Sequence, residues 1–389
     1  MQRRRKSAAT ASTAVVVIAL YFLSLTSCES LKKRANPADT AAVGMQSAVP
    51  EWAQGKLDSP WWRVFDSKSL NADIETALEQ SPGLFVIDAR LEKAEAKAQL
   101  ARASTLPRAN LGFGYREGRE REVDFGPYNL APWKGTAQFD WELDFFGRLK
   151  NLKNSANQKV RAAFFDLEAG EIQLAAAVAA TRFRITRLQT EEKLIAESVE
   201  ANRKIFEIFE DRKKAGIATD TEVLRATAEY ENLRRAQLEI ERLRKLAEIE
   251  LAILKGNPGK KQKSHRALLP KIPAPPSKNL DELLASHPEL LAAEARVRSA
   301  FDLENSTRLN LLPSFKLSGS AFGASPNFLL DQLARWKAEV GPSLDIPIFE
   351  PGRIAQLKIN RAETQEAAAL FREALTETIG EVQSAYINL

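Results

Sequence analysis

Residues 138–151, QFDWELDFFGRLKN, decide the fold. Phe139, Trp141, Leu143 and Phe145 alternate with Gln138, Asp140, Glu142 and Asp144, so an extended chain carries apolar groups on one face and amides and acids on the other. The alternation stops at Gly147-Arg148. From Leu149 to Ala215 there is no proline and one interior glycine, Gly170, which predicts a single helix about 100 Å long. A two-faced strand therefore feeds straight into a rod.

This unit occurs twice. Pro82, Leu84, Ala89, Arg90, Ala94, Arg102, Leu106, Pro107 and Leu111 return 206 positions later as Pro288, Leu290, Ala295, Arg296, Ala300, Arg308, Leu312, Pro313 and Leu317. Asp140, Gly147 and Arg148 return 205 positions later as Asp345, Gly352 and Arg353. Each copy reads helix, strand, strand, long helix. In the first copy, residues 61–256, a helix is expected over about 68–105, strands over about 109–117 and 134–145, and a helical hairpin over about 149–255. The second copy, residues 279–389, repeats the helix, with strands over about 314–323 and 336–347 and the beginning of a long helix. There Phe315 and Leu317 alternate with Lys316, Ser318 and Ser320, and Ala338, Val340, Leu344 and Ile346 alternate with Lys337, Glu339, Ser343 and Asp345.

A half-buried sheet in a soluble protein shows the same period of two. Apolar side out and polar side in, at about ten residues per strand, is also what a membrane barrel around a watery lumen requires, with Trp133, Trp141 and Trp336 available as interfacial aromatics. The lumen-facing set is then Gln138, Asp140, Glu142, Asp144, Lys316, Lys337, Glu339 and Asp345. Four strands cannot close a barrel, because open edges leave unpaired backbone groups in lipid. The chain is therefore expected to assemble, and three copies supply twelve strands, enough to enclose a channel.

The rod carries a coiled-coil seam. Alternating steps of four and three from Val160 select Phe164, Leu167, Leu174, Val178, Ile185, Leu188, Ile195, Val199, Phe206 and Phe209 among other positions. A second helix over about 220–255, with Val223, Ala226, Tyr230, Leu233, Ile240, Ala247, Leu251 and Leu254 at heptad steps, is expected to pack antiparallel to it. Between them lies KKAGIATDTEVL, residues 213–224: Gly216 suits a helix end, Thr219 or Asp220 caps the next helix, and Glu222 sits in its first turn. Residues 257–278 form a basic, proline-rich connector.

Composition narrows the function. The 56 basic and 51 acidic residues interleave along the helices and read as solvated faces, so the net charge of +5 does not mark a nucleic-acid patch. Arg3, Arg4, Arg5 and Lys6 precede a short apolar run from Ala14 to Leu25, the layout of an export signal over residues 1–27. It ends in Leu-Thr-Ser before Cys28, the only cysteine, which excludes an internal disulfide. That ending is similar to the bacterial lipobox, in which the cysteine is acylated and anchors the mature chain; Glu29 rather than Asp after it favours the outer membrane. Residues 28–60 read as an extended tether. His265 and His287 have no second ligand at a useful spacing, GFG at 112–114 lacks a third glycine and a following helix, and no carboxylate pair stands out, so no enzyme, metal site or cofactor is indicated.

SPWWRVF, WELDFFGR, AGIATDTEVLRA, LPKIPAPPS followed by HPELLAAEARV, LLPSFKLSGSAFG and GPSLDIPIFEPGR span residue 58 to the last residue. In these stretches the chain resembles the TolC-like outer-membrane efflux proteins, in particular the lipoprotein branch serving resistance-nodulation-division pumps. The resemblance implies a homotrimeric channel of twelve outer-membrane strands continued by an α-helical periplasmic tunnel, in a Gram-negative-type bacterium. Gly147-Arg148 and Gly352-Arg353 would sit where membrane strand becomes periplasmic helix, and the tip Gly216, Ile217, Ala218, Thr219 and Asp220 would meet a periplasmic adaptor (membrane fusion) protein, with the pump in the inner membrane. His287-Pro288-Glu289 stands where relatives often carry Arg-Pro-Asp. Leu389 maps onto Arg184, so Ile185 to Lys255 have no counterpart in the second copy and a truncated second repeat is expected. A type I protein-secretion duct has the same pore physics. A periplasmic coiled-coil adaptor or scaffold lipoprotein shares the hairpin but builds its strands into soluble domains.

Overall fold

The structure is a computed structural model that describes residues 60–115, 119–122, 126–129, 133–259, 280–325 and 335–388. The export signal, Cys28 and most of the proline-rich connector lie outside these residues. A 3₁₀ turn at Trp61–Phe65 is followed by α1 (Lys68–Gln80), α2 (Pro82–Ala103), β1 (Arg108–Tyr115), β2 (Arg119–Glu122), β3 (Gly126–Asn129), β4 (Trp133–Leu143), α3 (Arg148–Lys214) and α4 (Asp220–Leu254). The second copy runs α5 (Leu280–Ala285), α6 (Pro288–Leu309), β5 (Ser314–Ser325), β6 (Arg335–Asp345) and α7 (Pro351–Ile387). The single helix anticipated over 68–105 is in fact two. Proline at 82 disfavours the α region for the residue before it, and Ser81 is extended at ψ 120°. Pro288, the repeat partner of Pro82, likewise opens α6 just after α5.

The described residues gather in two compact units that cut across the two copies. One holds Lys93–Ala162 and Leu290–Glu381; the other holds the residues up to Glu92, Ala163–Glu289 and those from Val382.

The first unit contains a four-stranded sheet in the order β1-β4-β5-β6, antiparallel throughout. The β4–β5 ladder joins the two copies, with Phe139 opposite Gly319 and Glu142 opposite Lys316. A second, two-stranded sheet pairs β2 with β3. Small side chains bring the helices of this unit close together. The Ser299 hydroxyl donates to the Ser155 carbonyl at 2.9 Å, the Ser306 hydroxyl donates to the Arg148 carbonyl at 3.0 Å, and the Asn360 amide donates to Thr307 Oγ1 at 2.6 Å. Beside them Val297, Ala368 and Phe371 form an apolar cluster.

In the second unit α1 lays Leu70, Ile74 and Ala77 against Ala175, Val178, Ile185 and Leu188 of α3 and Ala247 and Leu251 of α4. Each buried Leu or Ile contributes about 1.5–3 kcal/mol. Trp61, Trp62 and Phe65 cover one side of this core, Phe65 meeting Phe183 edge-on at 5.1 Å. Asp73 of α1 is buried between two cations: Lys255 Nζ lies 2.6 Å from Oδ1 and Arg182 Nε 3.4 Å from Oδ2, so three segments share one charge cluster.

The seam of α3 holds where α4 is the partner. Val178, Thr181, Ile185 and Leu188 are buried, and Phe206 stacks on Tyr230 at 6.1 Å. Nearer the start of α3 it does not. Phe164 is exposed while Phe165 is buried, because other helices pack there: Ser155 meets Ser299, and Gly170 lies against Leu84 and Ile87.

Candidate pore-lining face, its junctions and the helical tip

Residues opposite one another in an antiparallel ladder share a face, so the register sorts the sheet into rows. Asn110, Gln138, Ser320 and Glu339 form one polar row; Arg108, Asp140 and Ser318 form the next, then Glu142, Lys316 and Ser343. Asp345 lies opposite Ser314, and Lys337 opposite Phe322. The alternate rows are apolar: Ala109, Phe139, Gly319 and Val340; Leu111, Ala137, Ala321 and Ala338; Leu143, Phe315 and Leu344. Each face bears a shallow groove. The polar one, about 470 Å³, is lined by Gln138, Asp140, Ser318, Ser320 and Glu339, and the apolar one, about 420 Å³, includes Leu111, Ala137, Phe139, Ala321 and Val340. Within the polar face Lys337 Nζ lies 2.8 Å from Glu339, which also accepts from Ser320 Oγ at 3.2 Å. Lys134 stands over the Phe322 ring at 5.9 Å. The apolar face is open: Leu111 is 76% exposed, Phe113 80% and Val340 76%. Of the three tryptophans expected at an interface, the side chain of Trp141 is described, and its indole donates to the Thr105 carbonyl at 3.1 Å.

Two of the acids placed in the lumen by alternation have other tasks. Arg148 grips Glu142 bidentately, Nη2 lying 2.7 Å from Oε1 and 2.8 Å from Oε2. Asp144 lies past the end of β4, and its two oxygens accept the Leu149 and Lys150 amides at 3.0 and 2.8 Å, capping α3. Gly147 makes the turn at φ 82°. The second junction differs. Pro351 opens α7, Gly352 lies inside that helix, and Arg353 bonds Glu350 and donates to the Asn310 carbonyl at 2.5 Å.

At the tip, α3 ends in a Schellman turn. The Ile217 amide donates to the Arg212 carbonyl at 2.8 Å and the Gly216 amide to the Lys213 carbonyl at 2.9 Å, with Gly216 at φ 72°. Thr219 then forms a capping box with Glu222: its amide donates to Oε2 at 2.7 Å and its Oγ1 accepts from the Glu222 amide at 3.4 Å. That Thr219 amide, first among several donors, holds the Glu222 carboxyl below its ordinary range. Lys213, 2.7 Å away, does the same to Asp220. Ala218 follows Ile217 in the turn, and Ile217 is 67% exposed.

Sequence reasoning missed the β2–β3 pair, whose strands RERE and GPYN lack apolar alternation. It also missed the Asp73 cluster, because a single acid in an amphipathic helix carries no signal of burial. Among the described residues no helix is long and apolar enough to cross a membrane.

Residues 74–257 and 279–389 match the outer membrane efflux protein family, and the chain belongs to it. It is an outer membrane efflux protein, mainly helical with membrane strands and internally duplicated. It is 25% identical over 354 residues to the pyoverdine export outer membrane protein OpmQ of Pseudomonas putida, covering 88% of this chain and 75% of that one. Among solved structures, the outer-membrane channel OprN matches with a TM-score of 0.77 at 22% identity, over 93% of this chain and 81% of that one. The outer membrane protein VceC of Vibrio cholerae matches with a TM-score of 0.75 at 23% identity, over 84% and 80%.

Proposed function

We propose that three copies of this chain close a twelve-stranded barrel that serves as a passive export duct for small molecules, binding no cofactor and catalysing nothing. The observation that carries the reading is a four-stranded sheet with one apolar and one polar face, whose edges β1 and β6 are unpaired among the described residues. In lipid each unpaired backbone group costs several kcal/mol, so the edges must be covered. β1 and β6 run in opposite directions, so β6 of one copy beside β1 of the next continues the antiparallel order around a ring. Two copies would give a barrel just wide enough to be filled by side chains; three leave a lumen.

Gln138, Asp140, Lys316, Lys337, Glu339 and Asp345 then line the water-filled side, with Glu142 and Asp144 at its helical end holding the start of α3. The helices leaving the sheet wall a periplasmic tunnel, which opens when partners draw them apart. Gly216 to Asp220, with the exposed Ile217, contact a periplasmic adaptor that couples the duct to a resistance-nodulation-division pump. Cys28 carries the acyl anchor, and Cys28→Ser still reaches the barrel state. The repeats, residues 61–256 and 279–389, each supply two strands of the four-stranded sheet.

Purified full chain reconstituted in planar bilayers tests the reading. Stepwise conductance from a species with the mass of a trimer is expected; a water-soluble monomer without conductance overturns it. Photo-cross-linking from Thr219 is expected to capture the adaptor, and capture only from sites elsewhere on the helices overturns the tip assignment.

A further inference from the structure

The cations of this chain form two populations. Along the helical hairpin most of them are paired, among them Arg187 with Glu191, Arg203 with Glu200, Lys213 with Asp220, Arg242 with Glu239 and Lys245 with Glu241. At the start of the two long helices several are not. Residues 148–165 contain Arg148, Lys150, Lys153, Lys159 and Arg161 without an acid, and residues 351–362 contain Arg353, Lys358 and Arg361 without an acid. Glu142, Glu350 and Glu304 take up Arg148, Arg353 and Arg361. Lys150, Lys153 and Lys358 have no ion-pair partner among the described residues, and Lys150 and Lys358 are exposed.

This charge sits at the unfavourable end of a helix, where the macrodipole prefers acids. Three other helices follow the preference: Asp220 and Glu222 open α4, Asp281 and Glu282 open α5, and Glu289 opens α6, whereas α1 opens on Lys68 and α2 has no acid in its first turn. The helices that leave the sheet reverse it over several turns, and they do so in both copies. Just before each basic stretch stands an exposed apolar pair, Phe145 and Phe146 in the first copy, Ile348 and Phe349 in the second. Phe145 and Phe146 lie 4.9 and 6.3 Å from the ring of Phe315, so the apolar face of the sheet runs on into the first pair.

We propose that Lys150, Lys153 and Lys358, next to these apolar pairs, form a belt that binds anionic phospholipid headgroups in the leaflet at the helical end of the sheet. The acyl chains lie against the apolar face and its Phe145–Phe146 extension, and the lysines meet the phosphate level where strand becomes helix. The inference rests on the membrane placement given under Proposed function.

The test uses the full chain in nanodiscs of equal parts phosphatidylglycerol and phosphatidylcholine, with retained lipid counted by native mass spectrometry and conductance measured on the same preparation. Wild-type protein is expected to retain phosphatidylglycerol over phosphatidylcholine by roughly tenfold at low salt, and to lose the preference at high salt. The variant Lys150→Gln/Lys153→Gln/Lys358→Gln is expected to approach parity, while Lys193→Gln/Lys245→Gln, on the hairpin, keeps the wild-type ratio. Parity in the wild type, a preference indifferent to salt, or an equal loss in both variants overturns the belt. Should the triple variant not assemble, the wild-type salt series decides. Conductance with lipid parity sinks the belt and leaves the duct standing; a protein that never inserts overturns both.

Discussion

The two strand-to-helix junctions share a Gly-Arg pair, an apolar pair before it and a basic stretch after it, but they turn the chain in different ways. At the first, Gly147 turns the chain at positive φ, Asp144 caps α3, and Arg148 reaches back to Glu142 on the sheet, fixing helix to strand through one bidentate contact. At the second, proline begins the helix, Gly352 is an ordinary helical residue, and Arg353 holds Glu350 and a carbonyl of the α6–β5 turn. Identical dipeptides thus serve different local physics. Pro351 supplies a fixed φ and needs no amide cap, so nothing presses its neighbouring glycine into the left-handed region. The first junction has no proline and must buy the same change of direction with a glycine turn and an acid.

The comparison breaks most sharply at the ion pairs. Glu142→Ala leaves a guanidinium that is 25% exposed without its partner and is expected to cost about 1.5–3 kcal/mol, read as a lower midpoint in thermal unfolding of the assembled protein. Glu350→Ala, removing a carboxylate that is 45% exposed, is expected to cost under about 1 kcal/mol. Equal losses would mean that the two arginines do the same work. Next come the glycines. Gly147→Ala forces a side chain into the left-handed region and is expected to cost about 1–2 kcal/mol, whereas Gly352→Ala, whose new methyl meets nothing within 4 Å, is expected to stabilise by up to about 1 kcal/mol. A common sign would refute the difference in backbone geometry. Smaller again, Asp144→Ala is expected to cost about 1 kcal/mol through loss of the cap, and Asp345→Ala to stay within about 0.5 kcal/mol.

The tip gives the mildest contrast. Glu222, in its cap, and Asp220, paired with Lys213 across the turn, are both held below their ordinary pKa, by hydrogen bonds from Thr219 and Lys213. A carboxyl depressed in the fold lends stability above its unfolded pKa and loses it as pH falls. Hydrogen exchange at residues 217–222 is therefore expected to be uniform in protection from neutral pH down to the ordinary carboxylate range and to rise below about 4.5, the ordinary value for Glu222.

Much of this was legible in the sequence because the period of two survives burial, lipid and water alike. Phe139, Val340 and Phe315 share a face with the partners their alternation implies, and the coiled-coil seam reads correctly from Val178 to Leu188, where one partner helix dominates. Sequence misled where two helices other than the heptad partner take over, as at Phe164, and where a residue past the strand end keeps the parity but changes its task, as at Asp144. The repeat equated Gly147 with Gly352 by chemistry, but their conformations are set by Pro351, which has no counterpart in the first copy.

The central claim is that the sheet separates water from lipid. Spin labels placed singly from Ala137 to Trp141 in reconstituted protein test it by their accessibility to a water-soluble nickel chelate and to oxygen. Labels at Gln138 and Asp140 are expected to favour the chelate, and those at Ala137, Phe139 and Trp141 to favour oxygen. Equal accessibility along the strand, or shielding of the odd-numbered labels from both probes, would contradict the account.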